Sequence, residues 1–387
     1  MSKMQDLIKQ YAKTHDEKDF HGIITEIQRA DMIYSAFSPV TKSHFLDYVQ
    51  GMPCAFIFSE KSFCEGFCRH MKESGNTVAV AECSRENRLG MFADYHRSGF
   101  EGVLVDNGQT RILIELGDLI NIPDFSKMPE NERPVINPSL VCSANRFFQC
   151  LENNTVSPDK ELNLLTDTAR AEFLIPVQGQ PKDGKVTVPA LERNDGKKVV
   201  PFFTDINELR KFDAQGRFSI ARAKFDQIET FCNGGELVVL NPFTFDFNIT
   251  SKTCEVIKSV SASAPENDDD RAVIFTPEGV PEKLTQIISE VFDDNGKVVK
   301  GVLRGVRQKG KTHLLVAVDC GEADEEETKS IMNDIMENIK GMVDDSMEFV
   351  PASSRIGSIA FANAVPFFEK FVVDVSVPPE NFESEEV

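Results

Sequence analysis

Residues 200–212 read VPFFTDINELRKF. The stretch changes character in its middle. Its apolar start, VVPFF over 199–203, is the short continuous run expected of a buried strand. Thr204 can then accept a hydrogen bond from a free N–H of a first helical turn. Asp205 sits where a helix dipole favours negative charge. Leu209 and Phe212 lie three apart and share one helix face. The spacing therefore predicts a strand running into a helix.

A worn copy of the same pattern stands earlier, as CAFIFSEKSFCEGF at 54–67. Phe58 and Phe67 take the places of Phe203 and Phe212. Ser59 and Glu60 replace Thr204 and Asp205, and Cys64 falls opposite Leu209. The parallel extends in both directions. Downstream, KFDQIETFCNGGELVVLNP reads as a helix carrying Phe225, Ile228 and Phe231, a Gly turn and a strand. Its counterpart, RLGMFADYHRSGFEGVLVDNG, carries Leu89, Phe92 and His96 before Gly99 and a strand. Upstream, residues 7–37 and 147–177 show the same order of helices. An old internal duplication is expected, at an offset of about 140 residues, too long and too few for a solenoid.

Beyond these copies, TPEGVPEKLTQIISEVFDDNG opens a third block. Pro281 suits a first helical turn, and Leu284, Ile287, Ile288 and Val291 form an apolar stripe. Two strands about a QKGK turn follow, then a helix with an acidic start, a strand and a final helix. The order αββαβα implies a small antiparallel sheet with helices on it. The expected fold class is α/β to α+β in three domains. The boundaries read 1–124, a linker at 125–144, 145–260, an acidic linker at 261–272, 273–375 and an acidic tail at 376–387.

The bulk numbers restrict the function classes. With 62 acidic against 42 basic residues the net charge is −20, which repels nucleic acid and anionic membranes. The densest basic stretch, RGVRQKGK at 304–311, reads as the exposed end of a hairpin. The N-terminus lacks the apolar segment of a signal peptide, and no run reaches the roughly 20 apolar residues of a spanning helix. A cytoplasmic location is expected. Nine cysteines, scattered without a CxxC, read as reduced and mostly buried thiols. Phe supplies most of the aromatic packing, with 30 Phe against 4 Tyr and no Trp.

The segments LIPVQ, VVPFFTDINELRKF and GGELVVLNPF resemble the N-terminal domain of the SseB (enhanced serine sensitivity) family. TPEGVPEKLTQIISEVF, HLLVAVD and MEFVPASSRIGSIAFANAVPFFEK resemble its C-terminal domain. The resemblance runs in order from about 150 to 375. It implies a cytoplasmic bacterial protein and supplies no catalytic residues. The first block departs from the family's usual architecture and looks like a degenerate extra copy of the N-terminal domain. There Asp106-Asn107 stands in place of Asn241-Pro242.

Candidate chemistry is sparse. Cys64, Cys68 and His70, with Cys83, form the sharpest metal set, because the two thiols at i, i+4 share a helix face. The match of Cys64 to Leu209 favours a core position instead. Cys232 and Cys320 stand at element ends, where a thiolate is reactive only beside a cation or helix N-terminus, and the acids after Cys320 oppose it. Thr204, Asp205 and Asn241 sit at the C-terminal ends of strands, where α/β sites gather, so a ligand pocket is sought there first. His70 and His96 fall at surface-like positions, and His313 within a strand pattern. Phosphate loops and an EF-hand order are missing, and no cofactor is expected. The leading expectation is a non-catalytic interaction or regulatory protein with a protein partner. The alternative is a small-molecule binder or enzyme linked to amino-acid or sulfur metabolism.

Overall fold

The computed structural model describes residues 3–370 apart from 183–184, 195, 263–271, 309, 343–346 and 363. Most of the acidic linker at 261–272, and the whole tail at 376–387, lie outside the described residues. The chain divides into two compact units, residues 1–266 and 267–387. Both mix helices and strands, and the architecture is α+β. Among the described residues no helix is long and apolar enough to cross a membrane.

The first unit opens with α1 (Lys3–Thr14), α2 (Glu17–Arg29), β1 (Met32–Ser38), β2 (Ser43–His44), β3 (Asp47–Val49), β4 (Met52–Phe58) and α3 (Lys61–Glu73). β5 (Ala79–Ser84), α4 (Arg88–Arg97), β6 (Gly102–Val105), β7 (Ile112–Glu115) and α5 (Leu116–Leu119) complete its first half. The second half runs α6 (Pro138–Glu152), α7 (Pro158–Arg170), β8 (Phe173–Lys182), β9 (Lys185–Thr187), β10 (Leu191–Glu192), β11 (Lys198–Phe202) and α8 (Ile206–Phe212). It ends with β12 (Ser219–Ala223), α9 (Phe225–Asn233), β13 (Val238–Leu240), β14 (Phe247–Ile249) and α10 (Ser251–Ser261).

The strand pairings of the halves correspond. β4 runs parallel to β6, and β11 parallel to β13. β7 and β14 close those pairs antiparallel. β1 lies antiparallel to β2, β4 and β5. β8 likewise pairs with β9 and β12, and joins the end of β11 through a bridge between Leu174 and Phe203. A parallel pair covered on both faces needs side chains that are apolar in succession. All seven residues of β4 and all three of β13 are buried accordingly.

Helix α6 joins the halves. Its Leu140 and Ala144 enter the core of the second half, beside Leu164, Phe173 and Phe202. Its polar face meets the first half: Asn145 Oδ1 accepts from Thr41 Oγ1 at 2.7 Å, and Asn145 Nδ2 donates to the His44 carbonyl at 3.0 Å. Gln149 Oε1 accepts from the Leu46 N–H at 3.3 Å, and Arg146 pairs with Asp47 at 3.0 Å. Gly99 ends the approach of α4 with φ +77°, and a Cβ there would lie 2.3 Å from the Pro138 carbonyl oxygen. The linker expected at 125–144 is thus corrected: from Pro138 it is helix, packed on both sides.

Two local expectations also shift. The cap of α8 is Asp205, one residue later than Thr204, because the Asp205 carboxylate reaches the N–H groups of Asn207 and Glu208. At the matching place Glu60 precedes α3 without a side-chain cap. On α4 the buried face is Arg88, Met91, Phe92 and Tyr95, while Leu89 is exposed. A 3₁₀ turn at Arg85–Asn87 leads directly into α4 and sets that phase.

The second unit contains β15 (Val273–Phe275), α11 (Glu282–Asn295), β16 (Lys300–Gln308), β17 (Lys311–Asp319), α12 (Glu325–Ile339), β18 (Glu348–Pro351), α13 (Arg355–Phe361) and β19 (Phe368–Glu369). Pro281 is the residue just before α11. The sheet is mixed instead of antiparallel, since α12 carries the chain across so that β18 lies parallel to β17. Alternation splits the core. Val316 and Val318 face α11 and α12, whereas Leu315 and Ala317 pack with Ala360 of α13. Arg304 is not on an exposed hairpin end. It is buried, donating to the carbonyls of Ala360 and Ala362 at 2.8 and 2.9 Å and to Thr276, where it satisfies the otherwise orphaned end of α13.

Candidate functional site

The parallel strands β11 and β13 end side by side. Just beyond them Asn241, at φ +46°, turns its backbone into the left-handed region that Asn tolerates better than most residues. Its N–H still bonds the Phe202 carbonyl at 2.9 Å. Its side chain then spans the gap between the strands. Asn241 Oδ1 accepts from the Thr204 N–H at 3.0 Å, and Nδ2 donates to Thr204 Oγ1 at 2.7 Å. Thr204 Oγ1 in turn donates to Asp205 Oδ2 at 3.3 Å. Asp205 Oδ1 accepts from the N–H groups of Asn207 and Glu208 at 2.7 and 3.1 Å. All three expected site residues are brought together and buried.

The first half repeats this arrangement with a carboxylate. Asp106, at φ +50°, accepts from the Ser59 N–H at 2.7 Å and from Ser59 Oγ at 2.8 Å. Its N–H bonds the Ile57 carbonyl at 2.9 Å. Burial raises its pKa above the usual carboxylate range, against the lowering effect of the Ser59 bonds.

The strand ends of the second half open into a cleft of about 370 Å³. Thr204, Asp205, Asn207, Glu208, Lys211 and Asn241 line one side, and Lys42, Ser43, His44, Asp94, Arg97 and Ser98 of the first half line the other. Glu208 accepts from Lys211 at 2.5 Å and from Thr244 Oγ1 at 2.8 Å. Arg97 forms an ion pair with Asp94. With the Asn207 amide turned to satisfy both groups, Asn207 Oδ1 accepts from Arg97 Nε at 3.1 Å and Nη2 at 2.6 Å across the cleft. His44 Nδ1 lies 3.0 Å from Ser35 Oγ, and its ring meets Tyr95 edge-on at 4.6 Å. Burial lowers the His44 pKa to about 4, so the imidazole is neutral at pH 7.

The sequence did not point to the wall from the first half. Lys42, Ser43 and His44 belong to no local motif, and Arg97 and Ser98 are unremarkable at a helix end. Only the long-range docking through α6 brings them opposite Asn241.

The other candidates are dispersed. Cys64 is buried among Phe45, Phe56, Phe58 and Phe67, and its thiol bonds that of Cys68. His70 is exposed, and Cys83 packs in a separate cluster with Met91 and Phe92. No group of three or more His, Cys, Asp or Glu arranged to hold a metal occurs among the described residues. Cys232 is buried rather than exposed at its helix end, and burial raises its pKa. Cys320 is partly exposed, with its pKa raised by burial and by Asp319 and Glu327. His96 is partly buried, which lowers its pKa, and His313 contacts Glu348 at 3.3 Å.

No curated protein matches the chain. Among solved structures, Tic22 from Plasmodium falciparum is similar at 8% identity, over 53% of this chain and 84% of that one. Its TM-score of 0.16 is too low to relate the two folds. Two family models match in series, the SseB protein N-terminal domain over residues 151–251 and the SseB protein C-terminal domain over 267–370. Together they span more than half of the 387 residues, and the chain belongs to the SseB family.

Proposed function

We propose that this SseB-family chain is a non-catalytic binding protein of the bacterial cytoplasm, acting through interaction or regulation with a protein partner. One observation carries the reading. The groups at the strand ends that resemble a nucleophile and a base are already occupied: Asp205 holds two backbone N–H groups, and Thr204 is held by Asn241. A general base must reach the proton it removes, and a carboxylate fixed as a helix cap is poorly placed to do so. The raised pKa values of Cys232 and Cys320 also disfavour thiolate chemistry.

The first half is, in this reading, a diverged copy of the N-terminal family domain. The same twelve helices and strands recur in the same order, with matching pairings and the Asp106 and Asn241 turns at equivalent points. Native mass spectrometry of the full chain purified gently from its host tests the function. A stoichiometric protein partner supports it. A bare chain with measurable turnover of a metabolite refutes it.

A second reading is favoured by the cleft. A concavity bounded by two lobes and carrying convergent polar groups is where small molecules bind, and the family's name directs the search to amino-acid and sulfur metabolites. A ligand that binds only the folded state raises the unfolding midpoint, so a metabolite panel distinguishes the two.

A further inference from the structure

The two kinds of hydrogen-bonding group in the cleft differ in how far they are used. Each acidic side chain on the wall already has a donor. Asp205 takes three, Glu208 takes Lys211 and Thr244, and Asp94 takes Arg97. The amide oxygens of Asn145 and Asn241 are likewise occupied. The donors are less committed. Among the described residues the Ser43 and Ser98 hydroxyls form no hydrogen bond, and the Lys42 ammonium forms no close ion pair, although it lies in the field of Asp246. Lys42 is also held at φ +49°, an unusual conformation for lysine, two residues before His44.

Resting on the small-molecule reading above, we propose that this cleft binds a small oxyanion, a carboxylate or a phosphate. Lys42, Ser43 and Ser98 of the first half hold it over the strand ends of the second. A cation would have to share carboxylates that Lys211, Arg97 and backbone N–H groups already engage, at a cost in those bonds. An oxyanion meets spare N–H and O–H groups without that cost, and charge-assisted bonds to it are the stronger kind. Around Lys42 the neighbouring imidazole of His44 adds no charge at pH 7. Of the remaining charges facing the cleft, Arg97 with Asp94 and Lys211 with Glu208 balance in pairs, and the Asp205 carboxylate is turned onto the N–H groups of Asn207 and Glu208. The size sets the class of molecule. About 370 Å³ holds roughly a dozen waters, enough for a metabolite and too little for a folded partner or a nucleic-acid strand. The first half then supplies recognition groups as well as packing.

The test uses the full chain and four probes at matched ionic strength: inorganic phosphate, acetate, ethylammonium and glycerol. Tyrosine fluorescence follows thermal unfolding, with probes up to about 10 mM. Phosphate or acetate is expected to raise the midpoint saturably, and whichever does so identifies the oxyanion. Lys42→Gln and Ser98→Ala, at positions that are exposed and half-buried, are expected to weaken that binding at least about fivefold while leaving the ligand-free midpoint in place. An equal response in wild type and both variants overturns the proposal, as does the absence of a saturable response to either oxyanion. A response confined to ethylammonium or glycerol, or a neutral or cationic small molecule retained in native mass spectrometry, also overturns it and leaves the small-molecule reading standing.

Discussion

Replacing Asn241 tests whether its side chain is what joins the two parallel strand ends. In Asn241→Ala the buried Thr204 N–H loses its acceptor, at about 1–3 kcal/mol for an unsatisfied buried group. The bond to Thr204 Oγ1 goes too, at about 0.5–1.5 kcal/mol. Alanine at φ +46° also gives up the local polar compensation that lets Asn occupy this region, at about 1 kcal/mol. The expected loss is about 4 kcal/mol. Asn241→Gly loses the same two bonds but is spared the conformational cost, and is expected to lose about 3 kcal/mol. Asn241→Asp keeps an oxygen to accept from the Thr204 N–H and, protonated at low pH, offers an O–H where the amide Nδ2 donated to Thr204 Oγ1, so it is expected to be the mildest of the three at low pH. The assay is favoured by composition. All four tyrosines, at 11, 34, 48 and 95, lie in the first compact unit and there is no Trp. Tyrosine fluorescence in urea therefore reads that unit within the full chain. With a slope of about 3 kcal/mol per molar urea, the Ala variant moves its midpoint by more than about 1 M. A shift below about 0.3 M, or an Asp variant as damaging as Ala at pH 4, refutes the reasoning.

Three further outcomes are expected. Burial raises the pKa of Asp106, so its charged form disfavours the folded state; the stability present below about pH 4 is lost as pH rises through the raised value. Asp106→Asn, which can bond Ser59 as Asn241 bonds Thr204, is then expected to raise the urea midpoint at pH 7 and leave it unchanged near pH 4. In the second unit, Gly357→Ala places a Cβ 2.0 Å from the Pro351 carbonyl oxygen and is expected to cost about 2–3 kcal/mol. Hydrogen exchange over 300–361 reads that loss, with the tyrosine transition unmoved. Finally, among the described residues Cys68 and Cys320 are the partly exposed thiols, and a thiol reagent is expected to label these two in the native protein. Mass spectrometry checks that the seven buried cysteines react only after urea unfolding.

Much of the fold was legible because it is local. A continuous apolar run followed by a hydroxyl, an acid and apolar residues three apart specifies β11 and α8 wherever it occurs, and its recurrence at 54–67 marks β4 and α3. Paired N–H groups and helix periodicity act over a few residues, so VPFFTDINELRKF contains its own instructions. Even so, only the packed backbone decided that Asp205 rather than Thr204 caps the helix, since Thr204 is drawn off by Asn241, 37 positions away.

The sequence by itself determined the strand–helix units, the family and the gathering of Thr204, Asp205 and Asn241 at strand ends. Tertiary structure alone decided that Pro138–Glu152 is a wall shared by two halves, that Arg304 caps α13 from within, and that Lys42, Ser98 and Arg97 face the strand ends of the second half. Those facts depend on contacts between residues a hundred or more apart, or on which polar group wins a buried partner. Periodicity carries no record of either, because it registers which face of an element is apolar and not what that face will meet.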